Sequence, residues 1–448
     1  MQADVEIYLT ICVSESKSLS LGKIEPSEAV TNKLSPMKRF LLIAIAAITL
    51  SCSTSNRPIN SNPDFIRIDG PNLIAPDGSK FFIRGTNLGN WLNPEGYMFG
   101  FQRTNSAGAI DLMFRQLVGP DFTDEFWRAF KDNYITENDI DFIASTGANT
   151  IRVPFHYKLF TDEDYMGLTV AQDGFERIDR LVEWCRGKGL YLILDMHDAP
   201  AGQTGDNIDD SYGYPWLLES PRSQRLYADI WQRIADHYKD EPVILGYDLL
   251  NEPIAPYFDN QQELNSRLAE LYRIGVEAIR KVDRNHIIIL GGAQWNSNFQ
   301  PLENTLFDEG IMYSCHRYGG PATADAIRGF IDFRDKTNRP MYMGEIGHNT
   351  DEWMASFCKA MEENNIGYTF WPYKKINNSC FMGIPAPEGW EMVQNFSEAP
   401  RGTYAEIREA RPSQQEARRL MMEFVEKSRF ENCDVQSSYI RAIGLQAE

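Results

Sequence analysis

Two glutamates have the residue type and the sequence surroundings that acid–base and nucleophilic chemistry need. Each glutamate ends an apolar run that has the character of a strand: Glu252 lies in LLNEP, and Glu345 lies in YMGEIG. A carboxylate at the end of a buried strand is costly unless it is paired or hydrogen-bonded. Two carboxylates that face each other separate their pKa values, so one stays ionised while the other keeps a proton. Alone, Asn251-Glu252-Pro253 is also typical of a capped turn.

The elements that must position these glutamates alternate between short apolar runs and amphipathic stretches. The first strand is predicted within residues 81–85. Seven more strands are predicted at residues 149–155, 190–197, 243–252, 286–292, 311–318, 339–347 and 366–373. Amphipathic helices are predicted at residues 175–188, 221–239, 261–281, 323–336 and 351–364. Eight such units predict an α/β fold, a (β/α)8 TIM barrel whose strand ends converge on one mouth.

An open, doubly wound sheet is the alternative fold for this alternation of strands and helices. It would be favoured by a glycine-rich phosphate loop after an early strand, and the sequence has none. Upstream of the first strand, Asp77-Gly78 separates two runs of strand character. Because this dipeptide is a strong turn signal, we expect an N-terminal β-hairpin before the barrel.

Several polar and aromatic residues accompany the two glutamates near the predicted strand ends. They are Arg152 in NTIRVP, His197 in LDMHD, Asn251 before Glu252, His316 and Tyr318 in CHRYGG, and Trp371 in TFWPY. Together with Glu252 and Glu345, they resemble the active site of glycoside hydrolase family 5. All eight positions are filled in order, and the resemblance covers about residues 65–410. Asp195 and Asp248 also lie in strands, where structural hydrogen bonds are the simpler interpretation.

The resemblance implies a retaining glycosidase that needs no cofactor or metal. Glu345 would be the nucleophile and Glu252 the acid/base, with Arg152 and Tyr318 keeping the nucleophile ionised. Asn251 would bind the sugar 2-hydroxyl. His197 and His316 would orient hydroxyls and carboxylates, and Trp371 would form the floor under the reacting sugar. A metal-dependent barrel hydrolase is a rival class, but the six histidines include no HxH pair.

The substrate is predicted to be a β-glucan, linked β-1,3 or β-1,4. Residues 84–96, RGTNLGNWLNPEG, resemble the exo-1,3-glucanase-like branch of the family. A β-mannanase, a glucosylceramidase-like enzyme and a non-catalytic carbohydrate-binding lipoprotein are the alternatives. The last would be expected to have lost one glutamate. Transglycosylation uses the same residues as hydrolysis, and the sequence does not separate endo from exo action.

The loop after the third strand is long and contains residues that suit sugar binding. Tyr212, Tyr214 and Trp216 have aromatic rings that match the apolar face of glucose, although packing against other loops is an equal alternative. Trp91, Trp295 and Trp390 are further candidates for either role. The acids of the same loop, Asp206, Asp209 and Asp210, faintly suggest calcium but lack the other features of an EF-hand.

The N-terminal segment has the pattern of an export signal. Met37-Lys38-Arg39 precedes an apolar run too short to span a bilayer, and the run ends at Ser51-Cys52. It resembles a bacterial lipoprotein signal, in which Cys52 would be acylated. We therefore predict an upstream extension and signal at 1–51, a flexible tether at 52–64 and one catalytic domain at 65–430. Export to the cell envelope with a lipid anchor, weakly favouring the periplasmic face, follows from this interpretation.

Composition excludes some partners and favours others. The formal net charge of −19 disfavours nucleic acid and anionic membrane, so the lipid would be the only membrane contact. A neutral polysaccharide fits this charge, and we expect a monomer. Seven cysteines without CxxC spacing exclude a dense disulfide framework, and one disulfide stays an alternative. Cys185 and Cys315 lie in apolar runs and are predicted to be small buried hydrophobes.

Overall fold

Eight parallel strands close into a barrel in the computed structural model, which describes residues 58–167, 172–304 and 307–447. Three short strands precede it: β1 (Arg67–Asp69), β2 (Asn72–Ile74) and β3 (Lys80–Phe81). The barrel strands are β4 (Arg84–Asn87), β5 (Thr150–His156), β6 (Tyr191–Asp198), β7 (Ile244–Asp248), β8 (Ile287–Gly291), β9 (Ile311–His316), β10 (Met341–Gly347) and β11 (Gly367–Trp371). Neighbours follow chain order, and β11 pairs with β4 to close the ring. The predicted TIM barrel is confirmed.

Helices cover the outside of the barrel, which is why its strands are apolar along their whole length. The first six are α1 (Ala107–Val118), α2 (Pro120–Tyr134), α3 (Glu137–Ser145), α4 (Asp173–Cys185), α5 (Pro221–Tyr238) and α6 (Gln261–Arg280). The rest are α7 (Arg328–Thr337), α8 (Asp351–Glu363), α9 (Glu391–Glu398), α10 (Tyr404–Ala410), α11 (Gln414–Lys427) and α12 (Ser437–Ala442). The five predicted helices correspond to α4 through α8. Helix α6 buries Leu264, Leu268 and Leu271, the stripe that periodicity selects.

The long connection from β4 to β5 forms three helices for which the sequence analysis assigned no element. Helices α1 and α2 pack against α11 around a cluster of aromatic rings. In this cluster Phe99 lies 5.6 Å from Phe130 and 5.2 Å from Phe424, measured between ring centroids. The packing joins the first βα excursion to the C-terminal helices, so both ends of the barrel sequence share one core.

The N-terminal hairpin is present and has one more strand than predicted. Strand β2 pairs antiparallel with β3 across Asp77-Gly78, where the Asp77 carboxylate accepts from the backbone and hydroxyl of Ser79. Strand β1 adds to the other edge of β2. Leu73 of β2 packs with Ile193 and Leu245 of the barrel strands in one apolar cluster. The small sheet therefore packs against the barrel.

The described residues include packed segments on both sides of the predicted domain 65–430. Asn60 lies in the predicted tether 52–64, yet it is buried and its amide donates to the carbonyls of Ile66 and Asn285. Beyond residue 430, Tyr439 and Ile440 are buried in the main core. Strands β12 (Lys374–Ile376), β13 (Met382–Ile384) and β14 (Asp434–Val435) form a sheet that includes this C-terminal segment. The boundaries of the domain depend on contacts of Asn60, Tyr439 and Ile440 with distant residues, which local composition does not reveal.

The predicted export signal and Cys52 lie outside the described residues. Within the described ranges, none of the helices has the length and apolar character needed to cross a bilayer. Cys185 and Cys315 are buried in the core, as predicted for small hydrophobes.

Candidate active site

A cavity of about 400 Å³ opens where the carboxyl ends of the barrel strands converge. Six of the predicted site residues line it: His197, Asn251, Glu252, Tyr318, Glu345 and Trp371. Arg152 and His316 lie directly behind this lining and contact the two glutamates. Four residues that the sequence analysis did not assign to the site complete the wall: Glu95, Tyr97, Ile208 and His348.

The carboxylates of Glu252 and Glu345 face each other across the cavity. Each brings an oxygen within 4.8 Å of the other, with a nitrogen of His316 in the same group. The Nδ1 atom of His316 lies 2.9 Å from Glu252 Oε1 and 3.5 Å from Glu345 Oε2. The structure thus brings together the two residues that the sequence singled out, and His316 bridges them.

An irregular strand presents Glu345 to the cavity. The register between β9 and β10 shifts between Met343 and Glu345. Gly344 lies at this shift, where a Cβ atom would approach Ser314 Oγ to 2.3 Å and His316 Nε2 to 2.9 Å. Only glycine fits such a close approach. The bulge turns the Glu345 side chain inward, a common use of such irregularities next to active sites.

Two donors hold the Glu345 carboxylate from opposite sides. Arg152 donates from Nη1 to Oε1 at 2.7 Å, and the Tyr318 hydroxyl donates to Oε2 at 2.6 Å. Burial alone would raise the pKa of Glu345. The positive charges of His316, Arg152 and His197, with the Tyr318 hydrogen bond, outweigh burial and lower it to about 2. Glu345 is therefore an anion at neutral pH.

Arg152 is shared by three buried carboxylates. Besides Glu345, its guanidinium contacts Asp195 Oδ1 and Asp248 Oδ2, each at 3.0 Å, and all four side chains are buried. The structural role predicted for Asp195 and Asp248 is confirmed by these contacts. Burial raises the pKa of Asp248 to about 7, although Arg152 opposes the shift. Arg152 thus stabilises the buried carboxylates of Asp195 and Asp248 together with the Glu345 carboxylate that lines the cavity.

Glu252 lies beyond its strand instead of ending it. Strand β7 stops at Asp248, and Glu252 and Ile254 adopt positive φ angles of 45° and 62°. Thr204 supports this turn because its hydroxyl donates to the Glu252 carbonyl at 2.9 Å, and Gln203 donates to the Asn251 carbonyl at 2.9 Å. A non-glycine residue held at positive φ costs of order 1–3 kcal/mol and persists only where its surroundings fix it.

His197 and Trp371 form a flat stack beside the two glutamates. Their ring centroids are 5.0 Å apart and the planes differ by 4°. Nδ1 of His197 lies 2.7 Å from Asp195, and Nε2 lies 3.2 Å from Glu95. Burial alone would lower the pKa of His197, but these two carboxylates raise it to about 10. The predicted floor at Trp371 lines the cavity, and Asn251 accepts from Arg152 at 2.9 Å.

The cavity residues that the sequence did not predict lie in the connections that follow barrel strands. Glu95 follows β4 within Asn93-Pro94-Glu95, and burial raises its pKa. Tyr97 accepts a hydrogen bond from the Trp371 indole. His348 follows β10, and burial together with Lys375 lowers its pKa to about 4. The sequence offered one signal for Glu95: it is a carboxylate that follows the first barrel strand, and the carboxyl ends of all barrel strands lie at the same mouth.

The aromatic candidates divide between core and surface. Trp91 and Trp390 are fully buried and donate to the carbonyls of Lys131 and Phe99, so they belong to the core. Tyr212, Trp216 and Trp295 are exposed. Trp91 and Trp390 show that an aromatic residue near a strand end is not by itself a sugar platform.

The acids of the long loop are bound to separate partners. Asp209 accepts the backbone N–H of Thr204 at 2.8 Å, and Asp210 lies 3.1 Å from His156 Nε2. His156, Asp198 and Asp210 come within metal-binding distance of one another. However, His156 Nδ1 accepts the N–H of Lys158, which places the ring hydrogen on Nε2. His156 therefore donates to these carboxylates, and the faint calcium signal corresponds to hydrogen bonds that shape the loop.

Fold and site together define a barrel enzyme with a paired-carboxylate active site. The family model for cellulase, glycosyl hydrolase family 5, matches residues 115–377. The chain belongs to this family, and it is a glycoside hydrolase. The match confirms the family resemblance predicted from the eight site positions.

Named relatives share part of this chain. A beta-xylosidase of Phanerodontia chrysosporium is 31% identical, over 58% of this chain and 54% of its own. Endoglucanase C of Acetivibrio thermocellus is 27% identical, over 58% and 90% respectively. A glucan 1,3-beta-glucosidase of Kluyveromyces lactis is 28% identical, over 53% and 57%. This chain thus spans about half the length of two of these relatives. Among solved structures, an endogalactoceramidase superposes with a TM-score of 0.54 at 19% identity, covering 69% of this chain and 75% of that one.

The hydrogen bond from Tyr318 to Glu345 gives a testable effect. In Tyr318→Phe the carboxylate loses a charge-assisted bond, so the pKa of Glu345 should rise from about 2. We expect kcat/KM to fall roughly 10- to 100-fold, because such bonds contribute about 1.5–3 kcal/mol. The acid limb of the kcat/KM–pH profile should move to higher pH. Tyr404→Phe, at an exposed position on α10, is the control. An unmoved acid limb would show that Tyr318 does not hold the anion.

Proposed function

We propose that this enzyme hydrolyses a β-glucan with retention, using Glu345 as nucleophile and Glu252 as acid/base. One observation carries the proposal: the two carboxylates bring oxygens within 4.8 Å of each other in one cavity. Retaining glycosidases separate their carboxyl groups by about 5–5.5 Å, whereas inverting enzymes leave about 6.5–9.5 Å for a water molecule. The spacing favours direct attack by a carboxylate over attack by a bound water.

The two steps use the contacts of this site. In the first, Glu345 forms a bond to the anomeric carbon while the bond to the leaving oxygen breaks, and Glu252 gives its proton to that oxygen. In the second, Glu252 takes a proton from water, whose oxygen attacks the anomeric carbon and releases Glu345. Arg152 and Tyr318 stabilise the Glu345 anion before attack and after release. His316 lies within 2.9 Å of Glu252 and 3.5 Å of Glu345, so it contacts both carboxylates that act in these steps.

Similarity and composition support a neutral glucan as substrate. Two of the relatives are named for glucan hydrolysis, an endoglucanase and a glucan 1,3-beta-glucosidase. The net charge of −19 disfavours a polyanionic polysaccharide. The beta-xylosidase relative makes a xyloside the nearest competing substrate. Mannan and glucosylceramide are further alternatives on the same scaffold.

A substrate screen tests this proposal. Purified enzyme is assayed on laminarin, barley β-glucan, hydroxyethylcellulose, xyloglucan, xylan and mannan, with product sizes measured over time. We expect turnover on one of the first three and unchanged turnover after a chelator is added. Glu345→Gln protein, purified in parallel, controls for contaminating activity. Turnover on mannan or xylan alone would contradict the glucan assignment, and loss of activity with chelator would favour a metal-dependent enzyme.

We further propose that the protein is exported, acylated at Cys52 and active as a monomer at the cell envelope. The support is the basic and apolar pattern that ends at Ser51-Cys52. In a bacterial host, Cys52→Ala should abolish incorporation of labelled fatty acid and move the enzyme from the membrane to the soluble fraction. Cys433→Ala is the matched control. Persistent labelling of the Cys52→Ala protein would contradict acylation at this residue.

A further inference from the structure

Two neighbouring residues in the loop after β6, Gln203 and Thr204, fasten the turn that carries Glu252, and we call this pair the brace. The backbone N–H groups of Ile254 and Ala255 donate to the carbonyls of Gln203 and Thr204 respectively, each at 2.9 Å. The two loops are therefore joined by a short ladder of backbone hydrogen bonds directly after the acid/base.

The side chains of the brace hold two consecutive carbonyls of the same turn. The Gln203 amide donates to the carbonyl of Asn251, and the Thr204 hydroxyl donates to the carbonyl of Glu252, each at 2.9 Å. The turn needs such support because Glu252 and Ile254 have positive φ angles of 45° and 62°. Strain of this kind costs of order 1–3 kcal/mol per residue and persists only where surrounding contacts fix the backbone.

The brace is itself buried and anchored to a barrel strand. Gln203 and Thr204 are both fully buried. The Gln203 amide also donates to the carbonyl of His197 in β6 at 2.8 Å, and its oxygen accepts from the N–H of Ala199 at 3.0 Å. The Asp209 carboxylate accepts the N–H of Thr204 at 2.8 Å. The brace thus ties the turn after β7 to the carboxyl end of β6.

The direction of the Glu252 carboxyl group depends on this backbone. Glu252 lies four residues beyond β7, so the hydrogen bonds between barrel strands do not fix it. Rotation of its peptide would move the carboxyl group away from His316, whose Nδ1 atom is 2.9 Å from Oε1, and from Glu345 across the cavity. Catalytic groups must be held within about 0.5 Å of the productive geometry.

We propose that Thr204 is a positioning residue for proton transfer by Glu252. Its hydroxyl fixes the Glu252 carbonyl, and through the backbone it sets the direction in which the acid/base carboxyl group points. Thr204 acts only through Glu252, so its loss should impair the protonation of the leaving oxygen and spare the attack by Glu345. This inference rests on the proposed function, because it assigns Glu252 as the acid.

The test compares two leaving groups in Thr204→Val, which removes the hydroxyl and keeps the branched shape of the side chain. The substrates are the phenyl and the dinitrophenyl β-glycosides of the sugar preferred in the substrate screen. The phenyl leaving group needs a proton, so kcat/KM should fall roughly 10- to 100-fold, the loss expected when a reacting group is misplaced by about 1 Å. The dinitrophenyl group departs without a proton, so kcat/KM should stay within about threefold of wild type.

Two further variants separate positioning from general damage to the fold. Thr204→Ser keeps the hydroxyl and should restore the ratio of the two rates. Thr123→Val is the matched control, because Thr123 is also buried and donates to a backbone carbonyl, that of Gly119, at 2.9 Å in helix α2. If Thr204→Val does not fold, Thr204→Ala allows the same comparison without placing a methyl group against the Glu252 carbonyl. An equal loss of kcat/KM on both substrates would overturn the proposal.

A crystal structure of Thr204→Val tests the brace without an activity assay. We expect the φ angle of Glu252 to depart from 45° and the distance from His316 Nδ1 to the Glu252 carboxylate to exceed 2.9 Å. An unchanged φ angle and an unchanged contact would overturn the proposal. Absence of turnover on every glycoside would overturn the proposed function instead, and the crystal structure would still decide whether Thr204 sets the position of Glu252.

Discussion

Glu345→Gln is expected to lower kcat by about 10⁴- to 10⁶-fold, the range seen when a catalytic nucleophile is removed. Glutamine has nearly the same shape as glutamate but cannot form the covalent intermediate, and its amide is neutral. The Arg152 and Tyr318 contacts that hold the anion would then have no charge to stabilise. The measurement is steady-state turnover on the best glucan from the screen, alongside circular dichroism to show that the barrel is folded.

A matched control for this prediction is Glu270→Gln. Glu270 is also paired with an arginine, Arg273, at 3.0 Å, but both side chains are exposed on helix α6. Exposed ion pairs contribute little, so this variant should keep wild-type turnover and stability. A Glu345→Gln enzyme with turnover within tenfold of wild type would remove Glu345 from the nucleophile role.

Arg152→Met is expected to be the most destabilising single change in the site. It removes the one cation shared by Asp195, Asp248 and Glu345, all buried. Leaving a buried charge without its partner costs about 3–5 kcal/mol. Urea unfolding at pH 7 should therefore show a fall in the free energy of unfolding of that size. Arg152→Lys keeps a positive charge without the branched donor geometry of arginine. Its free energy of unfolding should lie between those of the wild type and Arg152→Met.

The cost of losing Arg152 should depend on pH in a definite direction. The pKa of Glu345 is lowered from 4.5 to about 2, so its ionisation stabilises the fold above pH 4.5, and this stability is lost as pH falls toward 2. Arg152→Met should thus be most harmful at neutral pH and less harmful below pH 4.5. Arg419→Met is the control, because Arg419 pairs with Glu416 and Glu423 at an exposed surface. If both arginine variants lose the same stability, the shared-cation interpretation is wrong.

The barrel and the meeting of Glu252 with Glu345 in one cavity were predictable because both leave strong local signals. Apolar runs at regular intervals predict strands covered by helices, and Glu345 interrupts one such run. The family motifs then fixed the partners of Glu345. The position of Glu252 relative to its strand was less predictable. Glu252 was predicted to end a strand, yet β7 ends four residues earlier, at Asp248. Its geometry depends on Thr204 and Gln203, which come from a different loop.

Other features of the site depend on contacts that no sequence window contains. Glu95 is a cavity carboxylate because its loop folds back toward His197, 102 residues away. Trp91 and Trp390 looked like platform candidates, but long-range packing buries both. The helices between β4 and β5 were not predicted, and two of them, α1 and α2, pack against α11 near the other end of the chain. Hydrophobic periodicity identifies helices and strands, whereas the contacts between them follow from the closure of the barrel.

The most direct test of the central claim is to trap the covalent intermediate. The enzyme is incubated with a 2-deoxy-2-fluoro-β-glucoside that carries a good leaving group, because the fluorine slows hydrolysis of the glycosyl-enzyme. Peptide mass spectrometry then locates the label. We predict one added sugar on the peptide that contains Glu345. A sugar attached to any other residue would contradict the assignment of the nucleophile, and turnover of the same reagent with an inverted first product would contradict retention.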